Sequence, residues 1–235
     1  MPSLHRSLIA QLPIFAGLSG AELDSILAPA RSALYARDAE IFSQGEEADS
    51  FYLLLSGHIR VVRTSPEGNQ VIARYINEGE LFGIAVALGR AAYPASAVAA
   101  VDCVVLVWPN SAWAQLNAAV PGFGDATYRT IGTRLQEAQS QIMEMATEQV
   151  ERRVARIVLR LVQQSGRKTE DGIEIDFPIT RQDIAEMAGT TLHTVSRLLS
   201  GWEAEGLVRS GRRKVAVTDP HGLMLIAEGR RRDGD

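Results

Sequence analysis

The spacing of apolar residues changes along this chain, and those changes limit its fold more than any single residue does. Between Ser32 and Pro109 the apolar residues come in short runs, "EIFSQ", "SFYLLLSGHIRVVRT", "QVIARYI" and "VVLVW", rich in β-branched and aromatic side chains. Between the runs, "GEEAD", "PEGN" and "NEGE" supply the Gly, Asn and Asp that turns require, so the spacing predicts a small all-β unit. Pro66-Glu67-Gly68-Asn69 reads as its hairpin turn. Ahead of it, "LSGAELDSILAPA" predicts a helix with Ser19 as N-cap and Glu22 three residues later.

After Pro121 the period becomes helical and stays so to about Gln164. Tyr128, Ile131, Leu135, Ala138, Ile142 and Met145 recur at steps of 3, 4, 3, 4 and 3. That is a heptad seam, narrower than the stripe of a helix lying on its own core, and it predicts a parallel homodimer through a second copy of the same helix. The competing expectation is that the stripe rests on the β unit. Val150, Val154, Ile157, Val158 and Leu161 form the apolar face of a further helix that stops at Gly166.

The remaining residues predict two short helices and a basic hairpin. A strand in "GIEIDFPIT" leads to Thr180, an N-cap with Asp183 in the reciprocal position, so a helix begins at Arg181, turns Ile184, Ala185 and Ala188 inward, and stops at Gly189. A second helix begins near Thr191 and buries Leu192, Val195, Leu198, Leu199 and Trp202. His193, Ser196, Arg197 and Ser200 are then left on the opposite face. Such a face suits a major groove, because an arginine can donate two hydrogen bonds to guanine O6 and N7 while short serines permit close approach. Thr180, Arg181, Thr190 and Thr191 lie at helix starts, where phosphates are held. "LVRSGRRKVAVT" adds a hairpin whose Arg209, Arg212, Arg213 and Lys214 form a basic wing beside the helix, with Arg212, Arg213 and Lys214 for the phosphates. The competing expectation is a solvated helix face beside a charged hairpin.

Charge narrows the choice of partner. The chain carries a net charge of −4, but residues 1–146 hold 9 Lys+Arg against 14 Asp+Glu, whereas residues 147–235 hold 15 against 14. Only the C-terminal third is a candidate polyanion binder, and it must work by placement rather than bulk charge. No apolar run approaches the roughly 18 residues that span a bilayer, and "MPSLHRSLIAQLPIF" lacks the apolar stretch and cleavage site of a signal peptide, which predicts a cytoplasmic protein without a membrane partner. The single cysteine, Cys103, sits in the strand-like run "VDCVVLVW" as a buried thiol, so an iron–sulfur cluster of four cysteines and an intrachain disulfide are excluded. No nucleophile–base pair, phosphate loop or metal-ligand spacing is present, and no enzyme is expected. The expected class is α+β, in three segments: 1–120, a β-roll with N-terminal helices; 121–148, a dimerisation helix; and 149–235, a winged helix-turn-helix.

"IFSQGEEADSFYLLLSGHIRVV" resembles the β-roll signature, and "ITRQDIAEMAGTTLHTVSRLLSGWEAEGLV" the DNA-binding signature, of the Crp/Fnr family of bacterial transcription regulators, with Ala185, Gly189 and Val195 at that motif's small, turn and buried positions. The resemblance spans nearly the whole chain. It implies a cyclic-nucleotide-binding-like jelly roll, RNA polymerase as a partner, and an inverted repeat of TTG and CAA half-sites read by a two-fold dimer. In the family's cyclic-AMP-binding members a glutamate after a glycine holds the ribose and a later Arg-Ser pair holds the phosphate. Here Gly83 is followed by Ile84, and Pro94 and Ala95 stand in place of the pair, ahead of Ser96; Arg90 falls four positions early and would need a rearranged loop. Cyclic AMP is therefore not the expected ligand. The pentapeptide His193-Thr194-Val195-Ser196-Arg197, with "YPASAVA" and "GWEAEGLV", is similar to the NnrR-type and Dnr-type regulators of denitrification, which implies a response to nitric oxide and, in some members, haem. Haem would need an axial ligand, for which His5 and His58 are the candidates. A regulator without an effector and a cyclic-nucleotide-binding module remain the alternatives.

Overall fold

A computed structural model describes residues 6–230; His5 lies outside them. Helices α1 (Arg6–Ile9) and α2 (Gly20–Leu27) precede eight strands: β1 (Arg31–Tyr35), β2 (Glu40–Phe42), β3 (Ser50–Ser56), β4 (Ile59–Thr64), β5 (Gln70–Ile76), β6 (Leu81–Phe82), β7 (Ser96–Ala99) and β8 (Cys103–Pro109). Then follow α3 (Trp113–Ala119), the long α4 (Pro121–Thr147), α5 (Val150–Ser165), the hairpin β9 (Gly166–Thr169) and β10 (Gly172–Ile175), α6 (Arg181–Ala188), α7 (Leu192–Ala204), the hairpin β11 (Val208–Gly211) and β12 (Lys214–Val217), and α8 (Pro220–Glu228). Among the described residues, 6–65 and 74–137 make one compact unit, and 66–73 and 138–230 a second. The class is α+β.

The first unit is a roll of two antiparallel four-stranded sheets, ordered β1-β8-β3-β6 and β2-β7-β4-β5. Strand side chains alternate between faces, and in β3 and β8 both faces are buried. Phe51 and Leu53 of β3, with Leu106 and Trp108 of β8, join an outer core with Phe15, Ile26, Trp113 and Phe123. Tyr52 and Leu54, with Cys103, Val105 and Val107, join an inner core with Phe42, Phe82 and Tyr93. This double burial explains why "SFYLLLS" is almost continuously apolar instead of alternating. Phe51 stacks on Trp108 with centroids 5.3 Å apart, and the Trp108 indole N–H donates to the Ile26 carbonyl at 2.7 Å, tying α2 to the sheet. The capping box expected at Ser19 and Glu22 starts α2. Cys103 is a free, buried thiol, and desolvation by burial raises its pKa.

Along α4, Phe123 and Thr127 are fully buried and Ile131 packs against the outer core, while the Tyr128 ring meets Trp113 edge-on at 6.5 Å. The start of the seam therefore does rest on the β unit. Farther along, Leu135, Ile142 and Met145 are 59%, 65% and 46% exposed and Ala138 is exposed too.

In the second unit, α5 buries Val154, Ile157, Val158 and Leu161, with Val150 half-buried, and packs against α6 and α8. Two local expectations are corrected. Gly166 ends α5 without a left-handed cap: its backbone is extended and opens β9, and a Cβ there would collide with the Val162 carbonyl oxygen. Strand β9, "GRKT", is polar and exposed along its length, so apolar periodicity carried no sign of it; it pairs with β10 in a sheet ordered β11-β12-β10-β9.

Trp108→Phe should lower the stability of the chain by about 1–3 kcal/mol, because the buried Ile26 carbonyl loses its donor. Urea unfolding followed by far-ultraviolet circular dichroism would measure it, and an unchanged midpoint would mean that packing alone holds α2.

Candidate nucleic-acid interface and ligand cavity

Helix α6 starts with a capping box: the Asp183 backbone N–H donates to Thr180 Oγ1 at 3.0 Å, and the Thr180 N–H donates to the Asp183 carboxylate at 2.7 Å. It stops at Gly189, whose φ of +58° puts it in the left-handed region that glycine enters without steric cost. The chain turns, Thr191 Oγ1 accepts from the Thr194 N–H at 3.2 Å, and α7 begins. Ala185, Val195 and Leu199 are fully buried between the two helices and their core, with Trp202 at 2% exposure. Leu192, expected in that core, is 47% exposed, because it lies in the first turn of α7, ahead of the part that packs. Leu198 is half-buried.

This packing leaves His193, Arg197 and Ser200 exposed and Ser196 half-buried on the outward side of α7. Thr180, Arg181, Arg212 and Arg213 come together with Gly211 around a concavity of 760 Å³ beside the start of α6. Thr180 spends its hydroxyl on the cap, and the Arg181 guanidinium donates to Ser210 Oγ at 2.9 Å. Ser210 in turn donates to Glu203 of α7 at 3.3 Å, a link from α6 through the wing to α7 that sequence spacing does not reveal. Thr190 is half-buried, its N–H bonded to the Ala185 carbonyl at 3.0 Å.

The cations divide into two groups. Arg152 and Arg156 pair with Glu148, Arg160 with Glu144, Arg167 with Glu174 and Asp176, Arg209 with Asp171, and Lys214 with Glu174 at 3.2 Å. Two of the wing cations, Arg209 and the Lys214 expected at the phosphates, are thus held by carboxylates. Arg181, Arg197, Arg212 and Arg213 enter no ion pair among the described residues. Arg212 and Arg213 form the two-residue turn between β11 and β12, and Arg213 takes a φ of +64°.

In the first unit a cavity of 520 Å³ is walled by the inner-core aromatics Phe42, Phe82 and Tyr93, by Ile131, Arg134 and Leu135 of α4, and by Gly83, Ile84, Arg90, Pro94 and Ala95. Gly83 has φ +64°, and a Cβ there would lie 2.8 Å from the Tyr52 ring, so glycine is required on both counts. Arg90 reaches the wall through a fold-back of the chain: a short 3-10 turn at Val86–Leu88 is followed by Gly89 in the left-handed region, with the Arg90 N–H on the Ala85 carbonyl at 3.0 Å. Ser96 is not in the wall; its hydroxyl accepts from the Gln44 N–H at 2.9 Å.

Arg74 and Arg134, which the sequence did not single out, also line the cavity and converge on one oxygen of Glu80. Arg134 additionally donates to the Leu81 carbonyl, and its Nε is buried without an acceptor. Burial and the neighbouring Arg74 charge push the Arg134 pKa down to about 10. Burial opposes ionisation of Glu80, yet the two guanidiniums and the Asn77 N–H hold its pKa below the usual carboxylate value. A guanidinium that flanks Ile131 and Leu135 on one helix was the available signal for Arg134. His58 lies outside this wall, its Nδ1 3.2 Å from Asn77 Oδ1.

Residues 33–119 match the family model of the cyclic nucleotide-binding domain, and residues 152–226 that of the Crp-like helix-turn-helix domain. The cyclic AMP receptor protein of Thermus thermophilus is 32% identical over 217 residues, 92% of this chain and 97% of the relative. The nitrogen fixation regulation protein FixK of Azorhizobium caulinodans is 27% identical over 83% of this chain and 78% of its own length. The structure of FixK2 from Bradyrhizobium japonicum aligns with a TM-score of 0.74 at 22% identity, over 84% of this chain and 96% of that one. The Thermus thermophilus catabolite activator protein aligns at 0.52 with 32% identity, over 92% and 99%. With a roll of this topology, a helix-turn-helix that leaves its cations outward, and relatives along nearly its full length, the chain belongs to the Crp/Fnr family of DNA-binding transcription regulators.

Proposed function

We propose that the chain acts in the cytoplasm as a homodimeric, sequence-specific regulator. It binds an inverted repeat of TTG and CAA half-sites, works with RNA polymerase, and is controlled by a ligand of the roll. The observation that carries this reading is Arg197, exposed on α7 among His193, Ser196 and Ser200 and in no ion pair among the described residues. Arg197 donates to guanine, and Arg181, Arg212 and Arg213 hold phosphates. The exposed Leu135, Ile142 and Met145 supply the dimer seam. Ile131 and Leu135 belong both to that seam and to the cavity wall, so a ligand that repacks the wall shifts the population of the dimer geometry in which two reading helices lie about one DNA turn apart.

Control of nitrogen-oxide genes is a second reading, supported by His193-Thr194-Val195-Ser196-Arg197, in which the reading face carries a histidine. It concerns which promoters are bound, and it is independent of the ligand. Haem finds no imidazole or sulfur ligand in the cavity among the described residues: the wall there holds no histidine, cysteine or methionine, and the Tyr93 hydroxyl is committed to the Ser50 carbonyl at 2.6 Å.

Arg197→Ala should cost about 1–3 kcal/mol of discrimination between a TTG/CAA duplex and mismatched duplexes while leaving the oligomeric state unchanged. Fluorescence anisotropy at one stated salt concentration measures it, and unaltered discrimination would remove Arg197 from base reading. Arg213→Gly should leave the melting temperature unchanged or raise it, since glycine relieves the positive φ, while the slope of log affinity against log salt falls in magnitude by about 1. Ile142→Glu should yield a monomer in sedimentation velocity; a dimer that persists would place the interface elsewhere.

A further inference from the structure

We propose that the cavity of the roll binds an organic monocarboxylate, its apolar alkyl or aryl body against Phe42, Phe82 and Leu88 and its carboxylate on Arg74 and Arg134. This deepens the effector role proposed above and rests on it for its consequence at DNA, but the binding step can be tested without DNA.

Three properties of the wall lead to this class. The first is charge. Arg74 and Arg134 share a single Glu80 oxygen, so two guanidiniums face one carboxylate at the wall, Glu137 acting on Arg134 through its charge alone, and a monoanion supplies a second carboxylate. Arg90 adds a third cation at the exposed edge of the cavity and enters no ion pair among the described residues. The second is what the wall omits. Among the described residues no Ser, Thr, Asn, Gln, Asp or Glu lines it, and the Tyr93 hydroxyl already bonds the Ser50 backbone. Ribose hydroxyls and the edge of a nucleobase would be buried there with few partners, which is costly, whereas a hydrocarbon or aryl body needs none. The third is size: 520 Å³ lies within the range of cavities that enclose small organic ligands, and aromatic and branched apolar side chains make up most of the remaining wall.

The decisive experiment is calorimetric titration of the full-length protein with octanoate and 3-phenylpropanoate, against the uncharged isosteres octanamide and 3-phenylpropanamide, and against cyclic AMP and cyclic GMP. The expected result is saturable binding of at least one acid about tenfold or more tighter than its amide, with no comparable binding of either cyclic nucleotide. Arg134→Gln should then weaken that acid by a similar factor. Should Arg134→Gln fail to fold, Arg90→Gln, on an exposed side chain, tests the same charge dependence by a smaller loss, and the acid–amide comparison in the unaltered protein still decides. Acids that bind no better than amides, or cyclic nucleotides that bind where neither acid does, would overturn the proposal. An acid that binds while the TTG/CAA duplex does not would instead overturn the proposed half-sites, and the reverse pattern would overturn the ligand class alone.

Discussion

Strands β3 and β8 bury both of their faces, and the rest of the first unit depends on that. Successive side chains enter different cores, Phe51 and Trp108 outward, Tyr52 and Val107 inward. A slip of one residue in their pairing would exchange the two sets, so their register is held from both sides at once. The outer core needs a cover, which α2, α3 and the first turns of α4 provide. The inner core leaves the space into which Phe42, Phe82 and Tyr93 project, and the cavity forms at its edge. One helix therefore serves both ends: α4 closes the outer core with Phe123 and reaches the cavity with Arg134.

In the second unit the governing quantity is the distribution of charge rather than its sum. Glu144, Glu148, Asp171 and Glu174 engage the arginines and the lysine that brace α5 and the sheet. The cations that remain without a carboxylate among the described residues include Arg181, Arg212 and Arg213 around one concavity and Arg197 on the outward side of α7. A domain with nearly equal numbers of acids and bases can in this way present a surface for a polyanion. The Arg181–Ser210–Glu203 chain joins α6, the wing and α7, so the two parts of that surface are held by side chains as well as by the core.

Local chemistry was legible where a single residue decides a local geometry. The capping boxes at Ser19 and Thr180 and the left-handed stop at Gly189 follow from residue type and spacing alone, since each involves groups within a turn of one another. Strand β9 was not legible, because an exposed edge strand buries nothing and so carries no apolar signature. Gly166 showed the limits of residue type: the residue that usually caps a helix by its freedom of φ is required here by close approach to the Val162 carbonyl. The heptad spacing of α4 could not separate a seam from a core contact, and Ile131 and Leu135 divide between the two.

By itself, then, the sequence determined the order of the elements other than β9, the helix-turn-helix and its outward face, because periodicity and capping act over a few residues. Tertiary structure alone decided which cations stay unpaired and which distant residues meet. Arg74 and Arg134 stand sixty positions apart yet reach the same oxygen of Glu80, and Arg90 reaches the wall only through the turn that Gly89 permits. Ion pairs and cavity walls are made by segments brought together from different parts of the chain, and no local spacing encodes them.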